Sequence, residues 1–177
     1  RFYCSPTDMG VNMAGYAIVD DEVCRRAGCQ EIIRRYYKGM ADLKQGKEKP
    51  ETVEKLKSIM QQLNLRPEDR STVLPALYKR NSANAPAVAI ELPDGRIITG
   101  KATDLLSATS GAVLNSIKVM ADIPKEVLLM SPTVLEPVKK MKMDLLGSRS
   151  SLLKLDDVLT ALYICAARDE TAAKAVA

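Results

Sequence analysis

From Asp20 onward the apolar positions first follow a helical rhythm. Val23, Ala27, Ile33, Tyr37 and Met40 form a stripe, while Arg25, Arg26, Arg34 and Arg35 lie mostly outside it. This predicts a long helix that begins near Asp20-Asp21-Glu22 and runs to about Gln45. Gly46-Lys47-Glu48-Lys49-Pro50 reads as a solvated turn, and a further helix is expected from Glu51 to about Leu63. Pro67 should open the next helix, with a kink at Pro75. The opening stretch "SPTDMGVNMAG" also starts like a helix. Ser5 is a good N-cap, Pro6 suits the first helical position, and Asp8 sits where its charge meets the helix dipole.

Near Ala83 the rhythm changes. "AVAIEL", Ala87 to Leu92, alternates like a strand, "PDG" is a turn, and "RIITG" is the expected partner strand. Ser107 to Ala121 returns to helical spacing, with Val113, Ile117 and Met120 on one side. "EVLLM", Glu126 to Met130, is a short apolar run expected as a third strand. Ser131-Pro132-Thr133 then repeats the helix opening of residues 5 to 7. A last helix is expected from Asp156, after the loop "GSRSS". The expected fold is α/β: a helical subdomain over residues 1–82, then a small mixed sheet covered by helices over residues 83–177.

Composition narrows the function classes. The 177 residues are 46% hydrophobic and 27% charged, an ordinary globular balance. A net charge of +4 is spread along the chain, and aromatics are only 4%, so no nucleic-acid partner is expected. No stretch approaches the roughly 20 apolar residues of a membrane span. Neither a membrane association nor a secretory leader is expected. Cys4, Cys24, Cys29 and Cys165 have no metal-ligand spacing and read as reduced thiols of a cytoplasmic protein. The chain has no histidine, so the commonest general base and metal ligand is missing. No structural zinc and no cofactor of this chain's own is expected.

The segment "KATDLLSATSG", Lys101 to Gly111, is the most site-like. It leaves a strand and enters a helix, where backbone amides favour anions. Lys101, Thr103, Asp104, Ser107, Thr109 and Ser110 are the candidate contacts for a phosphate or carboxylate; an ordinary loop with a helix cap is the competing reading. Ser5, Thr7, Asp8 and Asn12 are the candidates from the opening stretch. "GSRSS" is a weaker anion loop. No P-loop, dinucleotide fingerprint or nucleophile elbow is present. Asp20-Asp21 and Asp156-Asp157 sit where helix N-termini favour negative charge.

Together "SPTDMGVNMAG", "EIIRRYYKG" and "LPDGRIITGKATDLLSATSGAVLNSIK" resemble a large bacterial family of uncharacterised function, through essentially the whole chain. Members of that family are longer, and their N-terminal region resembles a nucleotide-binding α/β domain with a glycine-rich phosphate loop. The resemblance implies that this chain is a C-terminal portion, with the missing N-terminal domain of the same protein as its partner and a nucleotide as the full-length protein's ligand. A second, weaker resemblance covers Ala87 to about Met141 and is to the layout of the cytidine-deaminase-like fold. The positions matching that family's zinc-site motifs are Gly111 and Val113, then Thr133 and Glu136. A glycine and a threonine cannot replace the ligands, so only the layout is implied, without the deaminase chemistry.

Two functions follow as expectations. One is part of a cytosolic nucleotide-using protein that supplies substrate contacts or closes a site. The other is an interaction or homo-oligomerisation module without chemistry of its own.

Overall fold

A computed structural model describes residues 20–177, and the candidates Ser5, Thr7, Asp8 and Asn12 lie outside them. The described residues form helices and a small antiparallel sheet, an α/β chain with its helical part first. They divide into two compact units, which part between Arg70 and Ser71.

In the first unit α1 spans Asp21–Lys44 and α2 spans Pro50–Gln62. Asp20 is the N-cap of α1, where its carboxylate accepts from the Val23 N–H at 2.9 Å. Ile33 is fully buried, and Val53 and Met60 of α2 are also buried. The helices meet at Gly39, whose α-carbon faces Val53 and Leu56 of α2. With 13 residues against 24, α2 covers only part of α1, and Val23 and Tyr37 of the expected apolar stripe remain exposed. The segment from Pro67 does not continue as one kinked helix. A 3-10 turn, Pro67–Asp69, ends at Arg70. The next helix starts afresh, with Pro75 in its first turn, where a missing N–H breaks no helical bond.

That helix, α3 (Val73–Ala83), belongs to the second unit and packs on the hairpin. The hairpin is as the sequence suggests. Strand β1 (Ala87–Glu91) pairs antiparallel with β2 (Ile97–Lys101), with Ala87 opposite Lys101 and Glu91 opposite Ile97. The turn closes with Gly95 N–H donating to the Leu92 carbonyl at 2.9 Å, and Gly95 has the positive φ of +83° that glycine tolerates. Asp94 accepts from the Arg96 backbone and pairs with its guanidinium.

Helix α4 (Ala108–Met120) begins at Ser107, and α5 spans Pro132–Asp144. Helices α6 (Leu155–Ala166) and α7 (Glu170–Val176) complete the unit. The run Glu126–Met130 is not a strand but an irregular connection of turns and bends. Pro124 and Pro132 bracket it, and its last two residues are held by packing: Leu129 and Met130 join Leu135, Leu153, Val158 and Leu162 in the core, while Leu128 stays exposed. Among the described residues the only strand-like pairing besides the hairpin is an isolated parallel bridge between Leu106 and Leu153. Helix α7 was not anticipated; Asp169 caps it by accepting from the Ala172 N–H at 2.8 Å.

Candidate functional site

The segment after β2 is fixed by a close backbone approach. A Cβ on Gly100 would lie 2.0 Å from the Ala112 nitrogen and 2.6 Å from the Gly111 carbonyl carbon, so only glycine fits between β2 and α4. Across the same contact the Asn115 side-chain amide donates to the Thr99 carbonyl at 2.9 Å. Lys101 is exposed at the end of β2, and Thr103 and Asp104 are exposed in the loop that follows. The Thr103 hydroxyl oxygen accepts from the Leu106 N–H at 3.0 Å, so it shapes the loop while facing solvent. The Asp104 carbonyl accepts from the Lys139 ammonium at 3.1 Å.

Ser110 is placed differently. It is fully buried, its hydroxyl donates to the Leu153 carbonyl at 3.0 Å, and its oxygen lies 2.7 Å from that of Ser107. Ser107 caps α4, its hydroxyl oxygen accepting from the Ser110 N–H at 3.2 Å. The Leu153 carbonyl also accepts from the Ser107 N–H, and the Leu153 N–H donates to Leu105 at 2.8 Å. Ser110 therefore ties the loop to the core, and Lys101, Thr103 and Asp104 form the exposed edge.

A cavity of about 610 Å³ lies beside that edge, lined by Arg80, Asn81, Asn84, Ala85, Pro86 and Ala87. The ladder sets Ala87 directly opposite Lys101, and the Ala102 N–H donates to the Pro86 carbonyl at 2.8 Å. The end of α3 thus contributes a guanidinium and two amide side chains next to the Lys101 strand end. Sequence reasoning missed Arg80, Asn81 and Asn84, because the helix that carries them reaches Lys101 only through the hairpin register. Asn84 takes a positive φ of 47° as the α3 C-cap, a conformation asparagine adopts more readily than most residues.

The other candidate stretches are occupied by structural work. In "GSRSS" the Ser148 hydroxyl donates to the Ser150 carbonyl at 3.2 Å, and Ser150 accepts from the Leu152 N–H at 3.3 Å. Asp157 is more than a dipole partner. It accepts from the Lys154 N–H at 2.8 Å and pairs with the ammonium of Lys142, a lysine only 8% exposed. Burial alone would push the Asp157 carboxyl up, but the bonds from Lys142 and Lys154 outweigh it and hold the group below its usual value. In the first unit a shallow cavity of about 460 Å³ lies between α1 and the 3-10 turn, with Tyr36, Tyr37, Lys44 and Glu68 on its walls. Burial, then the Glu68 charge, raises the Tyr37 hydroxyl pKa there. Among the described residues no cluster of cysteines and carboxylates is arranged to hold a metal ion. No helix among them is long and apolar enough to cross a membrane.

Residues 1–64 match the domain described as "Domain of unknown function DUF1846, N-terminal", and residues 68–177 match "Domain of unknown function DUF1846, C-terminal". The chain belongs to the DUF1846 family. It is 46% identical over 178 residues to a UPF0371 protein of Clostridium tetani, covering 96% of this chain and 36% of that protein. It is 47% identical over 176 residues to one from Clostridioides difficile, covering 95% of this chain and 35% of the relative. With one from Streptococcus thermophilus it shares 44% over 174 residues, at 98% and 35% coverage. The chain thus spans about a third of the length of these relatives. One expectation is corrected: the chain does not lie wholly downstream of the N-terminal domain, because its first 64 residues match that domain's description.

Proposed function

We propose that the chain is a contact-making part of a larger cytosolic, nucleotide-using protein, and that the base of its hairpin takes an anionic group of the bound ligand. The carrying observation is the register that sets Lys101 against Ala87, on the wall of the cavity that also holds Arg80, Asn81 and Asn84. Two cations and two amides suit a phosphate, which accepts hydrogen bonds on every oxygen. Thr103 and Asp104, in the loop that follows Lys101, are proposed as further contacts, Asp104 as an acceptor for a sugar hydroxyl, with Ser110 holding that loop in place. The site is open, so the rest of the protein supplies the other wall and most of the affinity.

The test is calorimetric titration of ATP into the full-length protein and its Lys101→Ala variant. One exposed cation near a phosphate contributes about 1 kcal/mol in a watery setting, so binding should weaken roughly fivefold. Equal affinity in the two proteins overturns the role of Lys101.

A second reading, an interaction or homo-oligomerisation module without catalysis, is favoured by a different observation. Leu145, Leu146, Tyr163 and Ile164 are exposed on the second unit, each by more than 60%.

A further inference from the structure

Helix α5 carries two apolar stripes where a surface helix needs one. The first faces the core through Leu135 and Val138, with the buried stem of Lys142 one turn further on, and it packs against α6. The second consists of Val134, Pro137, Met141 and, at the C-cap, Leu145. Their spacings of three, four and four residues keep them on one side of the helix, roughly 60–100° from the buried stripe. All four are exposed, Met141 by 47% and Leu145 by 80%.

We infer that this second stripe is an internal docking surface, covered in the full-length protein by residues outside the 177 of this chain. The length of those residues argues for it. This chain accounts for only 35–36% of its relatives, so nearly two thirds of such a protein has to pack somewhere. Exposed apolar residues also recur on α3 (Leu74 and Tyr78) and on α6 (Tyr163 and Ile164). Burying Met141 and Leu145 removes two large apolar side chains from water. The flanking Lys140 and Asp144 stay at the rim, where charges tolerate contact with solvent. The inference holds whether or not a nucleotide is bound.

The experiment is thiol labelling of the full-length protein carrying Met141→Cys or Leu145→Cys, read at each cysteine by mass spectrometry and compared with the same protein in denaturant. Both positions should label at least about tenfold more slowly in the native protein, equally at low and high protein concentration. Oxidation of the native Met141 by peroxide gives the same comparison without any substitution. Labelling at the denatured rate overturns the inference. So does protection that appears only as the protein doubles its mass in solution, which would assign the stripe to a second copy.

Discussion

Gly100 and Ala112 meet backbone to backbone, and a methyl group on Gly100 would sit 2.0 Å from the Ala112 nitrogen. This contact locks β2 onto α4 and sets where Lys101 and its loop emerge.

Gly100→Ala should therefore separate strand and helix, with no flexible side chain available to give way. The expected loss is about 3 kcal/mol or more, at the upper end for overpacking, measured by urea unfolding. Gly111→Ala should cost less, because the nearest atom its Cβ would meet is the Lys101 carbonyl oxygen, at 3.0 Å. Equal stability of Gly100→Ala and the parent would refute the contact.

The Lys142–Asp157 pair should respond differently to its two partners' removal. Asp157→Asn leaves a buried ammonium without its counter-charge. The cost should approach the roughly 3–5 kcal/mol of a broken buried pair, reduced because 22% of the Asp157 side chain meets solvent. Lys142→Met removes the charge but keeps an apolar stem, and Asp157 retains the Lys154 N–H, so that variant should lose less. Thermal melts of the two variants decide the order.

The same pair sets a pH dependence. The Asp157 carboxyl is held below its usual value in the folded chain, so its contribution is fully present above the unfolded carboxylate pKa. It is lost as pH falls through the lower, folded value. Acid unfolding of Asp157→Asn should therefore show a weaker dependence on pH in that range than the parent; parallel curves would count against the pairing.

Ser110→Ala should cost about 1 kcal/mol, the usual net value of one buried hydrogen bond, because the Leu153 carbonyl keeps the Ser107 N–H. It should leave ligand affinity within about twofold if Ser110 only anchors the loop.

The sequence made some of this legible and hid the rest for physical reasons. Pro93-Asp94-Gly95 between alternating apolar runs specifies a hairpin locally, and Asp20 and Ser107 announce their helices because caps are local chemistry. The apolar run Glu126–Met130 misleads because Leu129 and Met130 serve core packing, not strand pairing, and the prolines around the run leave it irregular. Lys142 falls on the buried stripe of α5 seven residues after Leu135, and a lysine in that position was the available sign of a buried partner. Half of the candidate site was visible as the Lys101–Ser110 segment. Arg80, Asn81 and Asn84 were not, because only the strand register brings them alongside.

The most direct test of the hairpin-base site is hydrogen–deuterium exchange on the full-length protein with and without ATP. Exchange should slow at two separated segments together, residues 80–87 and residues 101–106, and the slowing at both should weaken in Arg80→Ala. Unchanged exchange at both segments under saturating ATP would contradict the site.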